Sequence, residues 1–167
     1  MAQALLAERL AGLGPPASVR SAGLLTGGQP SPPEVVAAMT AYGLDVAAHR
    51  SYQVTAADLG RADLTLAMAR EHLREAVVLA PEAWPRAFTL RELVRRGSAI
   101  GPRKPGEDLA DWLARAHDGR QRMALLGDSP GDDVADPIGG PQAWYAETAA
   151  TLRQLVDQLA TLAWSQH

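Results

Sequence analysis

The sequence predicts an α/β fold, a three-layer sandwich with a small parallel sheet and helices on both faces. Three observations carry this. Short runs of strand length are each followed by a segment of helical spacing, Gly and Pro mark the junctions, and 167 residues of which 47% are hydrophobic suffice for one sizeable core. One domain spanning residues 1–167 is therefore expected.

Met1 to Leu13 reads as a helix, because Leu6, Leu10 and Leu13 share a face and Gly14, Pro15 and Pro16 stop it. Its start lacks the Ser, Thr, Asp or Asn that normally opens a helix. Ser18 to Leu25 is short, mixed and bounded by Gly27 and Gly28, so a strand entering a loop is expected there. Pro33 suits the first turn of a helix carrying Val35, Val36 and Met39 and closed by Gly43. Asp63 to Met68 is the next strand, with a helix from about Glu71, and Ala87 to Leu90 the third, with a short helix ending at Gly97. Ser98 to Gly106 should be a loop. Leu109, Trp112, Leu113 and Ala116 mark a further amphipathic helix. Gly127 to Pro141, with four Gly, three Pro and four Asp, should be irregular, and Tyr145, Leu152, Leu155, Val156, Leu159 and Leu162 define a long closing helix from about Gln142.

Charge and composition exclude several functions. The 16 Lys and Arg against 19 Asp and Glu leave a net charge of -3 with no long basic run, so no nucleic-acid partner is expected. Apolar stretches such as Ala76 to Ala80 are far too short to span a bilayer and no signal segment opens the chain, so neither membrane association nor export is expected and the cytoplasm is the default compartment. The chain has no cysteine, which removes disulfides, thiolate metal sites and cysteine nucleophiles together.

The chemically loaded loop is Gly127 to Pro141. An Asp-Pro such as Asp136-Pro137 in a Gly-rich loop is by itself a turn, since Asp bonds its own backbone and Pro fixes φ. Asp128 and Asp132 read as turn residues. Four neighbouring carboxylates raise the question of a divalent cation, but their spacing matches no defined ligand loop, and no metal or other cofactor is expected. Gly27-Gly28 lacks the Lys-Ser or Lys-Thr of a nucleotide loop, and no Gly-x-Ser-x-Gly elbow supports a serine hydrolase. His49 with Arg50, and His72 at a helix start, read as hydrogen-bonding braces.

In order and spacing, Ser21-Ala22-Gly23, Gly43-Leu44-Asp45, His49-Arg50-Ser51, Gln53-Val54-Thr55 and Ala62-Asp63-Leu64 with Met68 and His72 are similar to the middle of low-molecular-weight protein tyrosine phosphatases. Asp133-Val134-Ala135-Asp136-Pro137, leading to a helix with Tyr145, resembles the loop that bears that family's general acid. The resemblance implies a four-stranded parallel sheet whose first strand runs into a C-x5-R-[ST] phosphate loop. Met1-Ala2-Gln3-Ala4-Leu5-Leu6 resembles the helical segment just past that loop, so the first strand, the nucleophilic cysteine and the anion-binding Arg are expected to be missing ahead of Met1.

In the family, backbone N–H groups and the bidentate Arg surround the phosphate at a helix N-terminus, which also lowers the cysteine pKa. The thiolate attacks phosphorus while an aspartic acid protonates the leaving oxygen and later activates water. The resemblance implies Asp136 as that acid/base, Ile138 as the residue facing the substrate in place of a usual aromatic, and Ser21, His49, Asp133 and Pro137 as structural support. As written, the chain is expected to be inactive. With the loop restored, its partner would be a phosphorylated protein or a small phosphate ester. The alternatives are a non-catalytic phosphatase-like binding module and an arsenate reductase, whose class needs further cysteines. Oligomeric state is not legible.

Overall fold

The structure, a computed structural model, describes residues 1–14, 17–127 and 129–164. The expected stop at Pro15 and Pro16 and the turn residue Asp128 lie outside these. The chain groups into two compact units, the first formed by Met1–Val54 and Ala135–Ala160 and the second by Thr55–Val134 and the residues from Thr161 onward.

The second unit holds the sheet. Strands β1 (Thr65–Ala67) and β2 (Ala87–Thr89) pair in parallel, with Thr65 opposite Ala87 and Ala67 opposite Thr89. Parallel neighbours need a crossover, and α4 (Arg70–Leu79) with a 3-10 turn (Pro81–Arg86) supplies it. All three residues of β2 are buried, with Phe88 wholly so, as expected where both faces are covered. Ala67, Leu73, Val77, Trp84, Ala87 and Leu125 form a contiguous buried cluster, and each large member contributes about 1.5–3 kcal/mol by leaving water.

Capping chemistry sets two helix starts. Thr55 opens α3 (Ala56–Arg61) with a reciprocal capping box, its side chain accepting from the Asp58 N–H while the Asp58 carboxylate accepts from the Thr55 N–H. Thr89 opens α5 (Leu90–Ile100) by accepting from the Glu92 N–H at 3.1 Å. The sequence predicts an end to α5 at Gly97. The helix instead continues to Ile100, because Gly97 is not a left-handed stop but a contact point: a Cβ there would lie 2.9 Å from the Trp112 ring. Trp112 belongs to α6 (Leu109–His117), whose Trp112, Leu113 and Ala116 are buried as their spacing predicted.

In the first unit, α1 (Ala2–Leu13) buries Leu5, Leu6 and Leu10, and no side chain caps its start. Pro33 occupies the first turn of α2 (Pro33–Thr40); the chain then closes through Gly43 at φ 70, whose N–H donates to the Thr40 carbonyl. The first-unit part of α7 (Gln142–Trp164) buries Tyr145, Leu152, Leu155, Val156 and Leu159. Ion pairs tie it to α1: Arg153 to Glu8 at 2.9 Å and Arg9 to Asp157 at 3.2 Å.

The strand expected at Ser18 to Leu25 does not form. Among the described residues this segment has one isolated parallel bridge, Gly23 to Gln53, and Leu25 is 84% exposed. A strand needs a ladder of partners, and Gly27, Gly28 and Pro30 divert the chain within a few residues. Gly27 is fixed by close approach, since a Cβ would sit 2.9 Å from the Ser51 carbonyl oxygen.

Candidate active site

The segment that runs from a 3-10 turn (Pro130–Asp132) to the start of α7 concentrates acidic residues, and the structure gives each of the described ones a different task. Asp132 lies in that turn, as its sequence context predicts, its N–H donating to the Ser129 carbonyl at 2.8 Å, and it is also a buried charge. Its carboxylate accepts from Arg70 Nη2 at 3.1 Å, from Arg95 Nη2 at 3.0 Å and from the Ser129 hydroxyl at 2.9 Å. Burial works to raise its pKa, but the hydrogen bonds from Arg95, Ser129 and Arg70 together outweigh it and hold the carboxyl below its usual range. Its partners lie 62 and 37 residues away in sequence, so no local pattern points to them.

Asp133 accepts from the backbone N–H of Arg70 at 2.7 Å, a charge-assisted cap on the first residue of α4 supplied by a distant loop. Next along, the Val134 N–H donates to the Met68 carbonyl at 2.8 Å, immediately past β1. Asp136 is exposed and bonds within its own turn, its Oδ1 accepting from the Ile138 N–H at 3.0 Å. Pro137 is buried and its carbonyl accepts from the Gly140 N–H at 2.9 Å, while Ile138 projects with 73% of its surface exposed. Trp144, which belongs to no sequence motif, lies against this turn: a Cβ on Gly140 would fall 2.1 Å from its ring.

Ser21 and His49 come together elsewhere in the first unit. They line a cavity of about 170 Å³ at the start of α1, with Met1, Gln3, Ala4 and Asp45 among its other walls. The Ser21 hydroxyl donates to Gln3 Oε1 at 3.2 Å, and the Gln3 amide donates to the Val19 carbonyl at 3.2 Å. The Arg50 guanidinium turns back on its own loop, donating to the Ala47 and His49 carbonyls at 3.2 and 2.8 Å. His72 is exposed on α4, its Nε2 3.6 Å from the Glu71 carboxylate.

A second feature invisible in the sequence is the Arg120 cluster. Arg120 donates to both oxygens of Glu92 at 2.9 and 3.1 Å, and its guanidinium lies 3.8 Å from the Trp84 ring centre and 4.0 Å from that of Phe88. Among the described residues no group of three or more His, Cys, Asp or Glu is placed to hold a metal ion, and no helix is long and apolar enough to cross a membrane.

Comparison with known proteins bears on these residues. Residues 1–101 match the family model for low molecular weight phosphotyrosine protein phosphatase, a match that stops ahead of the acidic loop. A probable low molecular weight protein-tyrosine-phosphatase EpsP of Ralstonia solanacearum is 38% identical over 94 residues, which are 56% of this chain and 62% of the relative. This chain thus spans less than two thirds of the length of that relative. Among solved structures, the low molecular weight protein tyrosine phosphatase from T. tengcongensis is 30% identical, with a TM-score of 0.69 over 95% of this chain and 86% of that one. The YwlE arginine phosphatase from Geobacillus stearothermophilus is 28% identical, with a TM-score of 0.67 over 95% and 80%.

Proposed function

This chain belongs to the low molecular weight phosphotyrosine protein phosphatase family, and from that premise we propose that it carries the proton-transfer half of a phosphate monoester hydrolase without the nucleophilic half. The observation that carries this reading is the division of labour in the acidic loop. Among its described carboxylates, Asp132 is consumed by two arginines and Asp133 by a helix start, whereas Asp136 is exposed and bonded only within its own turn. An acid that must give a proton to a leaving oxygen and then take one from water needs that freedom.

Pro137 is buried in the Asp136 turn, and the exposed Ile138 beside it is in this reading the residue that faces the substrate. Ser21 and His49, at the start of α1, are in this reading braces for a phosphate loop entering that helix. With no cysteine in its 167 residues, the chain cannot form a phosphocysteine, so by itself it is catalytically silent. The substrate class is a phosphorylated protein side chain or a small phosphate ester. The exposed Ile138 offers no ring to stack on phosphotyrosine, which leaves a phosphorylated arginine, the substrate type named for one structural neighbour, on equal footing. A restored cysteine loop would need a reducing compartment to keep its thiolate, which favours the cytoplasm.

The test is p-nitrophenyl phosphate hydrolysis by the 167-residue chain, beside a chain carrying a strand and a C-x5-R-[ST] loop ahead of Met1. Activity is expected only in the longer chain, with Asp136→Ala slowing it by about 10² or more. Turnover by the short chain, or an indifferent Asp136→Ala, would refute the assignment.

A further inference from the structure

We propose that the second unit contains a binding site for a phosphate-class dianion, in a cavity of about 250 Å³ walled by Arg70, Arg95, Arg96 and Arg120 with Trp84 and Glu92. This does not rest on the family reading, since every residue involved lies within Thr55–Val134.

The argument is one of charge. Four arginines line one cavity, and among the described residues the carboxylates ion-paired to them are two: Glu92 on Arg120, and Asp132 shared between Arg70 and Arg95. Arg96 bonds neutral groups, the Ala116 and Asp118 carbonyls. Four cations less two carboxylates leave an excess of two positive charges, which one dianion would balance.

Repulsion from these arginines acts, behind burial, on His117 and Arg120. His117 is held below its usual pKa by burial first and then by Arg120 and Arg96, with Glu92 and Asp118 opposing. Arg120 is likewise lowered, by burial first, with Glu92 opposing and with Arg96 and Arg70 adding repulsion. A protein gains nothing in stability from crowding like charges around a void, because each repels the others at low effective dielectric.

Donor geometry is also available. Arg95 commits Nη2 to Asp132, and its side chain is 61% exposed, so solvent and a small anion can reach the group. Arg70 Nε is buried with no hydrogen-bond partner, an uncompensated donor at the same wall. The cavity is far larger than one water requires, and guanidinium forks match phosphoryl oxygens better than they match chloride. The ligand chemistry is therefore inorganic phosphate or the phosphoryl group of a small ester.

The 167-residue chain would be titrated with inorganic phosphate at constant ionic strength, with chloride as the balancing anion, while NMR follows the Trp84 indole and the Arg95 and Arg120 Nε–H signals. Saturable shifts confined to these groups are expected. Arg95→Gln should weaken binding roughly tenfold, the worth of one charge-assisted contact. Arg96→Gln serves as an independent second variant, and the mapping on the unsubstituted chain stands even if either substitution disturbs folding. Tighter binding of phenyl phosphate than of phosphate would identify an ester, and equal binding free phosphate. Shifts that never saturate, that chloride reproduces, or that spread away from Trp84 and the arginines would overturn the proposal.

Discussion

Replacing Asp132 by Ala removes the carboxylate shared by Arg70 and Arg95. Asp132 is 3% exposed and the Arg70 side chain 16%, so the loss strands a guanidinium where water cannot fully replace its partner. Breaking a fully buried pair costs about 3–5 kcal/mol, but Arg95 is 61% exposed and its share is screened, so about 3 kcal/mol is the expected net loss. For a domain of this size that corresponds to a melting temperature lower by about 6–12 °C. The assay is thermal unfolding of both chains by circular dichroism across pH. The Asp132 carboxyl is held below its unfolded-state value, so its contribution is fully present above the usual carboxylate range and disappears as pH falls through the depressed value. The gap between the two chains should therefore be constant from about pH 5 to 8 and close as pH falls below about 4. A shift under about 2 °C at pH 7, or a gap that does not close in acid, would show that the two arginines find compensation elsewhere.

Other substitutions test separate parts of the structure. Gly97→Ala should destabilise by about 1–3 kcal/mol in denaturant melts, because its Cβ would press on the Trp112 ring at 2.9 Å and a Leu162 methyl at 3.2 Å inside a packed core. Gly140→Ala should leave stability within about 0.5 kcal/mol but red-shift tryptophan emission, since the Trp144 ring it displaces is already 55% exposed and can move into solvent. Asp133→Ala should cost about 0.5–2 kcal/mol through the lost cap on α4, while Asp136→Ala, which removes a bond within its own turn, should not measurably change the melt.

Local chemistry is legible where the cause is local. Pro33 at a helix start, the runs that form β1 and β2, and the face of α6 can all be read from residues a few positions apart. Helix α3 is declared locally too, since Thr55 with Asp58 three residues later is a capping box, but its six residues carry no long apolar pattern to single it out. Gly97 shows a real ambiguity, because a glycine near the end of a helical pattern serves equally as a left-handed stop or as room for a facing ring, and only the partner ring of α6 decides. The acidic loop divides in the same way. Asp136-Pro137 declares a turn by itself, whereas the fate of Asp132 depends on Arg70 and Arg95, which only the fold brings near. The strand expected at Ser18 to Leu25 fails for the complementary reason: extended propensity without a paired neighbour does not make a ladder.

The stitching of the acidic loop gives the proposed chemistry a structural reason. Asp132, Asp133 and Val134 are consecutive, and each binds the corner where β1 passes into α4: Asp132 to the Arg70 guanidinium, Asp133 to the Arg70 N–H, and Val134 to the Met68 carbonyl. That corner is the carboxyl end of a parallel strand, the place where open α/β sheets gather ligand-binding loops because helix N-termini and their unsatisfied N–H groups converge there. Asp136 follows two residues after Val134, exposed and bonded within its own turn. For the proposed general acid, that exposure lets the carboxyl exchange its proton with solvent between steps. The arginines that hold Asp132 also wall the neighbouring cavity, since Arg70 and Arg95 serve both. An anion bound there would share those guanidinium groups with Asp132, taking the donors that Asp132 leaves unused.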